Sequence, residues 1–173
     1  MASSLYDITV TPYIQVINSL VDILDKSAQH ADELGIDLDE LVNFSLYEDM
    51  LPFSFQVFAA SLHSVGALAA IESEIFNRPE SLPENDYMGL QQLMAAPAAT
   101  LNDYSREQVD AMAGGDVLFS AGEFKLPFTT EGFVMSFSLP NFYFHATTTY
   151  DILRHKGVPL GKMDFLGQMQ IKK

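Results

Sequence analysis

Two histidines carry most of the chemical interest in this chain. His145 falls in Asn141-Phe142-Tyr143-Phe144-His145, on one helical stripe with Phe142, Thr149 and Ile152. An imidazole on an apolar stripe must find a hydrogen-bond partner or coordinate something, because burying it bare costs free energy. Asn141, Thr148 and Thr149 lie within one turn and could be that partner, and Tyr150 adds a phenol on the adjoining face. His63 lies beside Leu62 on an earlier helix. If the two helices run antiparallel, His63 sits roughly 14 Å from its helix end and His145 roughly 8 Å inside its helix start. Those depths allow a shared site without demanding one.

Two imidazoles make an incomplete metal set, since a catalytic zinc takes three protein ligands and keeps an open position. Asp49, Gln56 or Glu72 could add a third group, and the spacing selects none of them. The other occupant is a small organic molecule, with Gln56, Asn141, Tyr143 and Tyr150 as the polar and ring-bearing walls around His145. His30 and His155 stand near helix ends, where a donor meets the negative end of the helix dipole. No His-Glu-x-x-His or Glu-x-x-His pair, Gly-rich phosphate loop or Gly-x-Ser-x-Gly elbow occurs. The acidic run Ile36-Asp37-Leu38-Asp39-Glu40 reads as a solvated connector, without EF-hand spacing.

The elements that position these residues read as helices. Thr11-Pro12 starts the first, and Tyr13, Ile17, Leu20, Leu24 and Ala28 mark its inner stripe before Gly35. The second starts near Asp49, with Leu51, Phe55, Phe58, Leu62, Val65 and Ala69 as its inner stripe. A loop at Arg78-Pro79-Glu80-Ser81-Leu82-Pro83 follows. The third runs from Asp86 to Met112, kinked or divided at Pro97. Alternation at Phe124, Leu126 and Phe128, then at Phe133, Met135 and Phe137, predicts a β-hairpin turning at Thr129–Gly132. The fourth helix starts at Ser138-Leu139-Pro140 and ends near Arg154. The Gly-punctuated tail either folds back to close the pocket or completes the core through Phe165. The class is all-α: a four-helix bundle with a crossover and a small β-hairpin before the last helix.

Composition bounds the function. The 173 residues, 48% hydrophobic and 18% charged, form a single globular domain over 1–173. Thirteen Phe and eight Met with no Trp point to a large, adaptable interior. The absence of Cys removes disulfides and thiolate chemistry. A net charge of −14 repels phosphate backbones and anionic lipid, so neither nucleic acid nor membrane is an expected partner. With no signal-like or membrane-spanning run, the expected location is cytoplasmic.

Leu139-Pro140-Asn141-Phe142-Tyr143-Phe144-His145 and the run from Tyr150 to Gly167, with Asp49-Met50 and Phe55-Gln56-Val57, resemble a bacterial family of domains of unknown function. That family is grouped with the DinB/YfiT-like metalloenzymes. The resemblance spans nearly the whole chain. It implies a crossover bundle, often dimeric, and in the wider superfamily a zinc or nickel ion held by three His. Two of those His come from a His-x-x-x-His pair on the last helix. Here His145 matches the first position and Thr149 stands at the second. Threonine is a poor ligand for such metals beside imidazole. The leading expectation is therefore a small-ligand pocket near His145 with no tightly held metal. The alternatives are an atypical zinc or nickel enzyme using His63, His145 and Asp49, and a structural homodimer joined through a Met- and Phe-rich face.

Overall fold

The computed structural model describes residues 3–79, 81 and 83–172. Glu80 and Leu82 of the expected loop, Met1 and Ala2, and Lys173 lie outside the described residues. A short turn, α1 (Leu5–Ile8), leads into α2 (Val10–Leu34). Thr11-Pro12 therefore sits inside the first turn and does not start it. Proline is tolerated there because the first N–H groups of a helix have no intrahelical partner. Tyr13, Ile17, Leu20 and Leu24 are wholly buried, as their stripe predicts. Gly35 closes α2 in the left-handed region, φ 64°. The acidic run is a turn of helix, α3 (Leu38–Val42), whose Asp37 carboxylate accepts from the N–H groups of Asp39 and Glu40.

The second expected helix is two: α4 (Phe53–Leu62) and α5 (Val65–Ser73), bent by 42° at His63-Ser64. Its inner stripe is not the one the spacing suggested. The buried positions are Phe53, Gln56, Val57, Ala60, Ala67, Leu68 and Ile71, whereas Leu51 and Ala69 are exposed and Phe55, Phe58 and Leu62 half-buried. This segment is apolar around much of its circumference, so periodicity could not choose the core face.

A strand, β1 (Ile75–Asn77), leads to the loop and then to α6 (Tyr87–Asp103) and α7 (Arg106–Asp110). The third helix runs through Pro97 and breaks instead at Tyr104-Ser105, where Ser105 and Gln108 form a capping box. Strands β2 (Asp116–Ala121) and β3 (Phe124–Thr129) pair antiparallel around Gly122, φ 62°. β1 adds to β2 in parallel, giving a mixed three-stranded sheet in the order β1-β2-β3. The hairpin expectation needs correcting in register and in size. Thr129 is a helix cap, accepting from the Gly132 N–H, and Phe133–Phe137 is helical: α8 (Thr130–Phe133), then a π turn (Val134–Ser138) running into α9 (Leu139–His155). Phe133 and Phe137 lie one turn apart and pack together with ring centroids 5.5 Å apart, while Met135 faces out at 57% exposure. A strand would have put all three on one face.

α2 packs on α6 and α9, and α4 packs on the same two helices. The tail ends in α10 (Lys162–Leu166), which packs on α2, where Lys26 Nζ meets Asp164 at 3.1 Å and Phe165 meets Tyr150. The tail thus finishes the core and takes no part in the His145 pocket. Among the described residues no single helix is long and apolar enough to cross a membrane.

Ser138 is not the helix cap its sequence suggests. Its hydroxyl donates to the His63 carbonyl at 2.7 Å, which uses its one proton. The Tyr13 hydroxyl, 2.7 Å away, must then donate to Ser138 Oγ. Burial pushes the Tyr13 phenol up, so it keeps that proton. This relay ties α2, the π turn and the α4–α5 bend together at the residue that carries the His63 ring. Ser138→Ala orphans a buried phenol and a carbonyl and is expected to cost about 1–3 kcal/mol. Urea unfolding checks this: the midpoint should fall with an unchanged slope.

Candidate functional site

α4 and α9 cross where the sheet covers them, and a cavity of about 530 Å³ opens between these layers. Leu51, Phe55, Phe58 and Leu62 line one side, and Phe76 and Phe119 come from the sheet. Phe137, Asn141 and His145 close the far side, with Arg78, Pro79 and Ser81 from the loop after β1. Four of the six stripe positions that the sequence assigned to the core, Leu51, Phe55, Phe58 and Leu62, are cavity wall.

His145 Nδ1 lies 2.8 Å from Gln56 Oε1. The Gln56 Nε2 donates to the Leu51 carbonyl, also at 2.8 Å. A carbonyl only accepts, so the amide cannot be turned the other way. Gln56 Oε1 likewise only accepts, so His145 Nδ1 carries a hydrogen. Burial lowers the His145 pKa to about 4, which leaves the ring neutral near pH 7. Its single proton is then on Nδ1, and Nε2 is a bare acceptor. Phe55 and Phe144 meet the ring edge-on at 5.4 and 5.2 Å.

His63 stacks on His145 with centroids 5.9 Å apart and planes 14° apart. Phe76 stacks near it at 5.4 Å, and Phe137 meets it at a steep angle at the same distance. The ring is 7% exposed, and its Nδ1 is buried with no partner among the described residues. Burial, and then the neighbouring His145, lowers its pKa to about 4. Orphaned buried N–H groups are rarer than under-satisfied acceptors, which assigns the His63 proton to Nε2. The two neutral rings thus present one bare nitrogen and one N–H.

The partners expected for His145 within its own helix are engaged elsewhere. Thr148 and Thr149 donate back to the Phe144 and His145 carbonyls, and Asn141 donates to Phe137. Of the expected ligand-binding residues, Asn141 and His145 line the cavity, and Gln56, buried behind it, touches the site through His145. Tyr143 packs on Phe142, and Tyr150 on Phe165, outside it. The metal set of His63, His145 and Asp49 does not assemble. Asp49 is exposed in the turn before α4, and among the described residues no three His, Asp or Glu side chains converge to hold an ion. Thr149 is wholly buried with its hydroxyl committed to a carbonyl. Two imidazoles, one of them bound to an amide, do not fit the three-His ion of the superfamily.

Arg78 and the phenylalanine wall escaped the sequence reading. Phe55, Phe58 and Leu62 carried a signal in the second apolar stripe of a helix apolar nearly all round. Phe76 and Phe119 carried none, because the β1–β2 pairing joins segments far apart in the chain.

A mostly helical chain with a small mixed sheet and a phenylalanine-walled cavity holding two neutral imidazoles is the class defined by fold and site. The sequence pattern of the family described as Domain of unknown function (DUF1993) matches residues 5–166, and the chain belongs to that family. It is also similar to the crystal structure of a DinB family member protein from Shewanella denitrificans. The two share 30% identity and a TM-score of 0.78 over 98% of this chain and 95% of that one. No curated protein matches the chain.

The lowered histidine pKa values fix a pH dependence. The unfolded rings titrate near the ordinary value of 6.5, the folded ones near 4. Between those values the unfolded chain binds more protons, so stability is full above pH 6.5 and falls as pH drops towards 4. The loss at pH 5 should be on the order of 2 kcal/mol, carried mostly by His63, since solvent screens the more exposed His145. His63→Phe, which keeps the ring stack and removes the orphan nitrogen, should flatten this profile. Urea midpoints taken across the window decide it, and equal slopes in both proteins would count against it.

Proposed function

We propose that this protein binds a small organic molecule in the cavity, laying an apolar ring against the phenylalanine wall and donating a hydrogen bond to His145 Nε2. Binding needs no tightly held metal. One observation carries the reading: the Leu51–Gln56–His145 hydrogen bonds hold a bare nitrogen in place at a phenylalanine-lined cavity. A volume of about 530 Å³ suits a ring-sized molecule. We read the helix pairing around it as the crossover four-helix bundle expected from the sequence, the class of fold in which sites form between facing helices. The similar DinB family member protein supports that architecture.

A fixed, neutral imidazole can also act as a general base on the group it binds, which would make the cavity a reaction site. The hydrogen bond to Gln56 would steady the ring as charge develops. Gln56 cannot neutralise that charge, because an amide carries none.

The test uses p-cresol and its methyl ether as probes, followed by NMR on the whole chain, with metal analysis of protein purified without chelator. p-Cresol should perturb His145 and the cavity phenylalanines, and the ether, lacking the hydroxyl, should bind about fivefold more weakly. Neither probe perturbing the cavity would sink the reading. So would one bound metal ion per chain that disappears in His145→Ala.

A further inference from the structure

Among the described residues that line the cavity, Arg78 is the one with a formal charge, and none is a carboxylate. This holds in a chain with 23 Asp and Glu against nine Lys and Arg. Arg78 is anchored by its backbone: its N–H donates to the Ser120 carbonyl at 2.9 Å, which extends the β1–β2 pairing and fixes the side chain's root beside the cavity. The ion pairs among the described residues, Lys26–Asp164 and Arg106–Asp7, leave Arg78 out.

The imidazole of His145 refuses an anion. His145 offers a lone pair at Nε2, which would repel a carboxylate oxygen and attract a hydroxyl. His63, 7% exposed, lines the cavity beside it and keeps its unsatisfied Nδ1 buried. Phe55, Phe58, Phe76, Phe119 and Phe137 share the lining with the His pair and Arg78. The lining therefore combines a neutral hydrogen-bonding imidazole, an aromatic surface and one cation.

We propose that the ligand class is a small aromatic carboxylate with a hydroxyl at the far end, its ring among Phe55, Phe76 and Phe137, its hydroxyl on His145 Nε2 and its carboxylate on Arg78. This rests on the small-molecule reading above and adds the charge. Arginine suits this role because its planar fork can meet both carboxylate oxygens.

The probes are 4-hydroxyphenylacetate and its uncharged amide, 4-hydroxyphenylacetamide, titrated by NMR into wild type, Arg78→Gln and Arg78→Lys. Arg78 is exposed, so neither substitution should disturb folding, and an unchanged thermal midpoint confirms this. In wild type the acid should bind about fivefold more tightly than the amide, and the preference should shrink with added salt. R78Q should bring the acid down to the affinity of the amide, and R78K should keep part of the preference. If acid and amide bind wild type alike, or the preference survives in R78Q, the anionic class is wrong and the small-molecule reading stands. If neither probe shifts the cavity resonances, both fall.

Discussion

The hydrogen bond between His145 Nδ1 and Gln56 Oε1 is the constraint on which the site depends. It crosses from α9 to α4, the two helices that form the cavity wall. It also chooses the tautomer. Because Gln56 spends its amide hydrogens on the Leu51 carbonyl, its oxygen faces His145, and the imidazole has one way to be satisfied. A buried polar pair of this kind is stable only when both members are fully bonded. Here the unsatisfied capacity is confined to His145 Nε2 and to His63, which is where a ligand would act.

The aromatic shell sets the charge state. Phe55, Phe76, Phe137 and Phe144 surround the two imidazoles and exclude the water that would stabilise a proton. Each ring is therefore neutral where a surface histidine would be partly charged. Two neighbouring imidazolium rings would repel, and the stack at 5.9 Å tolerates them only uncharged. His63 reaches this position because its helix breaks there. The freed backbone carbonyl takes the Ser138 hydroxyl, and the Tyr13–Ser138 relay holds the bend from below. One polar chain through the core thus places one ring of the pair, and the Gln56 bond places the other.

The sequence disclosed the helical framework and the importance of His145, because a stripe of period 3.6 and a lone polar residue on it are local signals. Gln56 was legible as a neighbour but not as the partner, since its pairing with His145 spans 89 residues of chain. The helix-two stripe misled for a physical reason: Phe55, Phe58 and Leu62 face a cavity, and a cavity wall is as apolar as a core. Phe133, Met135 and Phe137 alternate as a strand would, but Thr129 caps a helix and the i, i+4 pair Phe133–Phe137 outweighs the alternation. The bend at His63-Ser64 has no proline, and its local marks, Gly66 and a Ser64 hydroxyl that bonds back to the Ala60 and Ser61 carbonyls, do not by themselves end a helix. The Ser138 bond that holds it is a tertiary contact. The missing third metal ligand was visible at Thr149, and the structure adds that the threonine hydroxyl is already committed.

The central claim is that His145 is a neutral imidazole protonated at Nδ1, with Nε2 bare towards the cavity. Imidazole ¹⁵N shifts of the whole chain near neutral pH, in wild type and in Gln56→Leu, read this directly. The claim predicts a protonated Nδ1 and an unprotonated Nε2 in wild type, with the tautomer preference lost in the variant. A wild-type His145 protonated at Nε2, or on both nitrogens, would contradict it and remove the acceptor on which ligand recognition rests.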